Sequence, residues 1–316
     1  MPLVISASRR TDIPAFYADW FVNRLRAGSV TVLQPYSGRP SMVSLKSEEV
    51  SAIVFWSKNY APLLVKLDEI EQTTKNLFFH FTITANRELE SQAPDYRAAI
   101  KDYGFIARRY SPERVIWRYD PICITDQLSF DRYEERFAQC AELLQTYAKK
   151  CIFSFVHPYK KVLANMKKYS GHTLAVVSVE QQREYARRLA VRAASYGIQL
   201  LACCNDHLPS DQIEKARCID GRFLSEIFKV PIDARPASTR KECWCTKSVD
   251  IGAYDTCAHG CLYCYANADK ERAKAAFLRH DAAWNALSAP VNETRKEQDT
   301  VQQVLFTQRN SSQLSP

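Results

Sequence analysis

The chain has 316 residues, 46% of them hydrophobic, and a formal net charge of +8. That length exceeds one small core and fits one large α/β domain or two smaller ones. No stretch of about 18 apolar residues is present, which excludes a helical membrane span, and the opening MPLVISASRRTDIP has no signal-peptide pattern, so a soluble, cytoplasmic protein is expected.

The first apolar run, Leu3 to Ile5, reads as a strand that leads into Ser6, Ser8, Arg9, Arg10, Thr11 and Asp12. Phe16, Trp20, Phe21 and Leu25 have helical spacing, with Asp12 and Pro14 suited to the start and Gly28 to the stop. Ala52–Trp56 predicts a buried strand ending in Ser57, Lys58 and Asn59, and a helix follows over about 62–71. Leu77–Thr84 predicts a strand, Tyr96 to Ala107 a helix, and Val115–Tyr119 a strand ending in Asp120-Pro121. Phe130, Tyr133, Phe137, Cys140, Leu144 and Tyr147 mark an amphipathic helix. Cys151–Val156 is a strand ending at His157. Ser178 with Gln181 forms a capping box that opens a helix to about Tyr196, and Ile198–Cys203 is the next strand. A further extended stretch, Ser248–Tyr254, precedes a cysteine loop.

Strand–helix alternation with short apolar strands argues for a parallel sheet. Polar residues cluster at the strand ends: Ser6/Ser8, Lys58/Asn59, Thr82/Thr84, Arg118/Asp120, His157 and Asn205/Asp206. Both open doubly wound sheets and barrels place their sites there. No Gly-rich phosphate loop appears among only 8 glycines, so a TIM-like βα barrel, partial or complete, is the expected fold. The expected organisation is a barrel over 1–267, with the cluster-binding loop at 243–265 and a helical, loose tail over 268–316.

Eleven cysteines in a chain without an export signal favour metal or redox chemistry over disulfides, and five of them fall between Cys243 and Cys264. Cys257, Cys261 and Cys264 have the spacing C-x3-C-x2-C, with Tyr263 before the last. A closed zinc site takes two separated cysteine pairs. Three thiolates on one loop suit a [4Fe–4S] cluster with one iron left open.

This motif resembles the signature of the radical S-adenosylmethionine (SAM) superfamily. The resemblance implies a [4Fe–4S] cluster on Cys257, Cys261 and Cys264, SAM on the open iron, Tyr263 near the adenine, and reductive cleavage of SAM to a 5′-deoxyadenosyl radical. An electron donor such as flavodoxin or ferredoxin is implied as a partner. In most members the motif follows the first barrel strand; here it follows the last predicted one. The chain therefore resembles a circular permutation, with Ser248–Tyr254 standing for the family's first strand and Leu3–Ser8 beside it. Ser6, Ser8, Arg9 and Asp12 become SAM or substrate candidates on that ground, with a helix cap or salt bridge as the structural reading of Arg9 and Asp12.

Over about residues 1–275 the chain also resembles domain-of-unknown-function family 1848 of bacterial and archaeal proteins. The matching stretches are Ile5–Pro14, Ile53–Trp56, Val115–Ile122, Cys218–Gly221 and the terminal cysteine block. Trp117–Pro121 is similar to a strand of spore photoproduct lyase, a radical SAM DNA-repair enzyme, over a short span.

Cys204, Cys218, Cys243 and Cys245 are candidates for a second site holding zinc or an auxiliary iron–sulfur cluster, although their spacing fits no zinc ribbon and Cys203 and Cys218 read equally as core. Cys123, Cys140 and Cys151 read as core. Arg118 is a candidate clamp for a carboxylate or phosphate, Asp120 a substrate or ribose ligand, and His157 an acid or base. His80 reads as structural, and His259 as a cluster-loop residue facing the cluster or solvent. The substrate, whether small molecule or nucleic acid, is not named by the sequence. Two alternatives stay open: a metal-stabilised nucleic-acid-binding protein and a photoproduct-lyase-like repair enzyme. The basic residues themselves are scattered and read as solvated helix faces.

Overall fold

The computed structural model describes residues 2–35 and 37–290. In chain order, β1 (Leu3–Ala7) leads to α1 (Ile13–Phe16), α2 (Ala18–Arg26) and a separate antiparallel ribbon of β2 (Ser29–Leu33) and β3 (Pro40–Ser44). Then come β4 (Val50–Ser57), α3 (Ala61–Leu64), α4 (Leu67–Glu71), β5 (Leu77–Thr82), α5 (Tyr96–Arg109), β6 (Val115–Ile122) and α6 (Phe130–Leu144). The chain continues through β7 (Lys150–Phe155), α7 (Lys160–Tyr169), α8 (Val179–Ser195), β8 (Gln199–Ala202), β9 (Ile213–Lys215) and α9 (Gly221–Phe228). It ends, within the described residues, with β10 (Val249–Asp250) and α10 (Lys270–Arg279).

The main sheet has eight strands in the order β10-β1-β4-β5-β6-β7-β8-β9, and every neighbouring pair is parallel. This is the α/β architecture that the strand–helix alternation predicts. Pairing runs unbroken from β10 to β9; none links β10 to β9 among the described residues. The two-residue β10 lies beside β1, with Ile5 opposite Val249 and Ser6 opposite Asp250. The chain thus places 248–254 next to its own first strand.

Alternation sorts the strands' side chains onto two faces. Ile5, Ile53, Phe55, Phe79, Trp117, Tyr119 and Phe153 pack under the helices in the large core. Val4, Ala52, Val54, Phe78, Ile116, Ile152 and Leu201 form a smaller core on the other face, covered by Leu224 and Phe228 of α9 and by Ile232. Continuing each strand by two residues puts Ser6, Trp56, His80, Arg118, Ser154 and Cys203 on that second face, so its apolar floor gives way to polar groups toward the strand ends.

Two predicted helices are split. Tyr17, at φ −134° and ψ 27°, separates α1 from α2, and its buried ring carries a hydroxyl that donates to the Thr256 carbonyl at 2.5 Å. The helix expected over 62–71 is α3 and α4, divided at 65–66. The capping box at Ser178 and Gln181 is present in full. Within the expected tail, α10 lays Phe277 against Phe16 and Tyr17, and Trp20 Nε1 donates to the Trp284 carbonyl at 2.9 Å. Residues 291–316 of that tail lie outside the described residues. No helix among the described residues is long and apolar enough to cross a membrane.

Candidate functional site

The loop carrying Cys257, Cys261 and Cys264 is tied to the C-terminal ends of the central strands. Asp12, after β1, uses both carboxylate oxygens: one caps α1 through Ala15 N (3.0 Å), the other accepts from Lys58 N after β4 (2.9 Å) and meets His259 Nε2 (2.7 Å). Leu262 N donates to Leu89 O in the segment after β5 (2.9 Å), and Asn267 Nδ2 holds the Cys257 carbonyl (2.7 Å). The left-handed Gly260 (φ +67°) lets the loop turn between the first two cysteines.

Burial raises the pKa of all three thiols; Asp12 and then Cys264 and Cys261 add to it at Cys257, and Glu90 and then Cys264 at Cys261, which is pushed up to about 12. Lys58 acts against this at Cys261; at Cys264 the Ala266 and Asn267 amides do so first, then Lys161 and Lys58. Three buried thiols on one loop are a donor set that suits a cationic metal group, whose charge would deprotonate them outright. Cys264 Sγ also accepts the Ala266 N–H at 3.3 Å, an outer-shell bond of the kind that supports thiolate ligands.

Beside the loop, Lys58 Nζ pairs with Glu90 at 2.8 Å. Glu90 also accepts from the Thr84 hydroxyl (2.6 Å) and from the Tyr263 hydroxyl. Burial opposes the Lys58 charge, yet Glu90 and then Cys261 hold its pKa above the ordinary lysine range. Tyr263, expected near an adenine, is buried and fixes this pair, with Lys58 Nζ 5.7 Å from its ring centre. A small cavity opens here, lined by Lys58, Thr82, Thr84, Asn86, Glu90 and Tyr96 among others.

Asp250, which sequence reasoning missed, organises the end of β1. Its carboxylate accepts from Ser6 Oγ (2.6 Å), Ser8 Oγ (2.7 Å), Arg9 N (2.8 Å) and Gly252 N (3.0 Å), with Arg10 Nε at 3.8 Å. Ser6 and Ser8 are therefore engaged with a carboxylate, and Asp12 is a cap and staple. Arg9 lies over Trp56 at 5.2 Å and donates to Ser248 Oγ at 3.2 Å, while its buried Nε has no hydrogen-bond partner among the described residues. The pairing of an in-strand serine with an aspartate two hundred residues later leaves no trace in local pattern.

Across the sheet, Arg118 donates to Asp120 and, at 3.1 Å, to Cys218 Sγ; Asp120 also accepts from Ser154. Burial opposes the Arg118 charge, but Cys218 and then Asp120 raise its pKa well above the usual value. Arg118 and Asp120 thus come together, as their spacing suggested. His157 is exposed, its ring 4.4 Å from that of Tyr159. Burial is also the largest influence on Arg240, where Cys204, Cys203 and Asp120 outweigh it and Tyr159 adds a hydrogen bond. No sequence pattern had singled this arginine out. His80 is buried, as its alternation predicted, with Nε2 2.6 Å from the Cys218 carbonyl.

The second cysteine set also gathers. Cys203 and Cys218 sulfurs are 3.3 Å apart, and the Cys245 thiol lowers the pKa of both Cys218 and Cys243. Cys204 adjoins Cys203 and accepts from Arg240 Nε at 3.0 Å. The thiols of Cys203 and Cys245, then Arg118, hold Cys218 toward the thiolate, and Cys243 is drawn down to about 4 by the Cys245 thiol and the Thr239 hydroxyl. Cys123, Cys140 and Cys151 are buried in the large core, apart from either group. Among the described residues, no three or more His, Cys, Asp or Glu side chains stand in a preformed single-ion arrangement.

A family model described as "Domain of unknown function (DUF1848)" matches residues 4–266. No curated protein matches the chain. A crystal structure of a candidate alpha-L-fucosidase from Bacteroides thetaiotaomicron aligns with 64% of this chain and 84% of its own, at 8% identity and a TM-score of 0.25.

Proposed function

The chain belongs to the family of unknown function DUF1848, and on that premise we propose that it is a radical SAM-type iron–sulfur enzyme. The observation that carries the reading is the seat of the cysteine loop. Cys257, Cys261 and Cys264 share one turn, and that turn is stapled by Asp12, His259 and the Lys58 amide to the strand ends where parallel α/β sheets place their chemistry. These three residues would hold a [4Fe–4S] cluster. When bound, such a cluster would supply the electron that reductive cleavage of SAM needs.

The chain's own residues supply position and charge. Lys58 and Glu90 form a buried ion pair against the loop, braced by Thr84 and Tyr263. Asp250 fixes the turn after β1 through Ser6, Ser8 and Arg9 N, so these serines act as positioning residues. Arg9 brings to the same rim a guanidinium whose buried Nε has no hydrogen-bond partner among the described residues, suited to a carboxylate. Arg118 and Asp120 offer a clamp and a hydrogen-bond acceptor to the substrate. Reduction requires an external donor of the flavodoxin or ferredoxin kind.

Anaerobic reconstitution with iron and sulfide tests the reading. The expected result is a brown protein with about four irons per chain, a cluster signal in electron paramagnetic resonance on reduction, and conversion of SAM to 5′-deoxyadenosine. Serine at any of the three cysteine positions should abolish the last. A folded, colourless protein that takes up no iron and leaves SAM intact would end the proposal.

A further inference from the structure

Four aromatic side chains are 40% exposed or more among the described residues: Phe105 on α5, and Trp244, Tyr254 and Tyr265. The last three stand together at the C-terminal ends of the strands. Tyr254 and Tyr265 bracket the cysteine loop, and the Tyr265 hydroxyl donates to the Arg9 carbonyl after β1 at 2.6 Å. Trp244 stands on a short hairpin over 236–246, closed by Ala237 N on the Cys245 carbonyl (2.9 Å) and by an antiparallel bridge between Pro236 and Thr246. Arg240, in the turn of that hairpin, reaches Cys204 Sγ after β8 at 3.0 Å. We propose that this rim is a binding surface for single-stranded nucleic acid.

Two of the three rings carry two cations each. Arg10, after β1, and Lys161, in α7, lie 5.6 and 5.5 Å from the Tyr254 ring centre. β1 and β7 are four places apart in the sheet, so the strand ends converge on this one ring. Lys215 and Arg217, at and just after the end of β9, each lie 5.7 Å from the Trp244 ring centre. Nearby acids neutralise part of this charge: Asp206 pairs with Lys215, Asp220 with Arg217 at 3.5 Å, and Asp250 with Arg10 at 3.8 Å. Lys160, Lys161, Arg240 and Lys241 have no carboxylate within 4.0 Å among the described residues. Basic residues that are scattered along the sequence are thus gathered, in part, by the order of the strands.

Positive charge alone would suit any polyanion. The rings narrow the choice. An acidic peptide would meet the cations and leave the rings uncovered. In a duplex the bases stack on one another and turn no free face outward. An unpaired base does offer a free face, and stacking on an aromatic side chain is the usual way proteins hold it. A ring with cations beside it therefore meets both halves of a nucleotide, base and phosphate. No cluster ligand takes part in the surface, so binding does not rest on the iron–sulfur reading; on that reading, the strand is the class of substrate brought to the cysteine loop.

The test is fluorescence anisotropy of a labelled single strand of about 12 nucleotides, in deoxy and ribo forms, with the full chain as purified and after anaerobic loading with iron and sulfide. Both preparations should bind at low salt, and the matching duplex should bind at least about tenfold more weakly. Affinity should fall with salt at a log–log slope of about −3, from the four unpaired cations at about 0.7 each. The tighter of the two forms identifies the strand as DNA or RNA. Trp244→Ala and Tyr254→Ala should each weaken binding about tenfold, whereas Phe105→Ala should leave it unchanged. Lys241→Gln should make the slope shallower by about 0.7. These positions are exposed, and circular dichroism checks that each variant is folded. No binding at low salt, a duplex or polyglutamate bound as tightly as the single strand, or folded ring variants that bind like the parent would overturn the proposal. Strand binding without SAM cleavage counts against the cluster reading alone, and SAM cleavage without strand binding against this one alone.

Discussion

Replacing Asp250 by asparagine tests the arrangement at the end of β1. The carboxylate accepts four hydrogen bonds, two on each oxygen: Ser6 Oγ and Arg9 N on one, Ser8 Oγ and Gly252 N on the other. Its side chain is 7% exposed. An amide keeps one oxygen. With its NH2 in the first position, Ser6 can rotate to accept, but the Arg9 N–H then faces another donor. Flipping the amide relieves Arg9 and leaves Gly252 N–H in the same conflict, so neither orientation satisfies the site. A lost bond to a charged acceptor, with a buried N–H left unpaired, costs about 3 kcal/mol after the easier burial of the neutral amide. In a chain of 316 residues that lowers the melting temperature by about 4–6 °C. Urea unfolding followed by circular dichroism should show a lower midpoint at unchanged slope, with Ser6→Ala costing only about 1 kcal/mol. An Asp250→Asn variant within about 0.5 kcal/mol of the parent would refute the reasoning.

Gly252→Ala should be more damaging than a surface change, because the new Cβ would lie 1.9 Å from Ser8 Oγ and 2.6 Å from Ser8 Cβ; a loss of about 2–3 kcal/mol is expected in the same unfolding assay. Native-state alkylation at pH 8, read by mass spectrometry, should spare Cys123 and Cys140, whose thiols burial pushes up to about 12, and likewise Cys151, raised for the same reason. His280 packs against Tyr17 and Trp284, with Nδ1 donating to the Leu287 carbonyl at 3.0 Å and Nε2 buried without a partner among the described residues. Burial lowers its pKa below the ordinary 6.5, with Leu287 and Asp281 acting in the other direction. A depressed folded-state value means that its contribution to stability is complete above pH 6.5 and is lost as the pH falls below it. Unfolding free energy should therefore decline on acidification from pH 7 to 5, and less steeply in His280→Gln.

Strands were legible wherever a continuous apolar run is buried on both faces, as in Ala52–Trp56 or Leu77–Thr82, because no other element of that length hides such a run. The β2–β3 ribbon and β9 were not, since Pro40–Ser44 is largely exposed and Ile213–Lys215 holds one buried residue. α9 also went unmarked; only eight residues long, it is too short for a periodic signal. At the site, Arg118 and Asp120 were readable because one strand spaces them two residues apart. Asp250, Glu90 and Arg240 were not, because their partners lie far away in the chain and only the sheet order brings them together. Cys203 illustrates the same limit: nothing local separates a small core thiol from one turned toward Cys218.

The adjacency of β1 and β10 also bears on how the molecule is made. While the polypeptide grows, the outer edge of the first strand has no neighbour until residue 250 leaves the ribosome, roughly 12–50 s later at ordinary elongation rates. For that interval an apolar strand with unpaired amides is available to other chains, and Ser6 and Ser8 wait for the aspartate that accepts their hydrogen bonds. Completion of the rim is thus a late event of synthesis, and a nascent chain stalled before residue 250 would be expected to depend on chaperones.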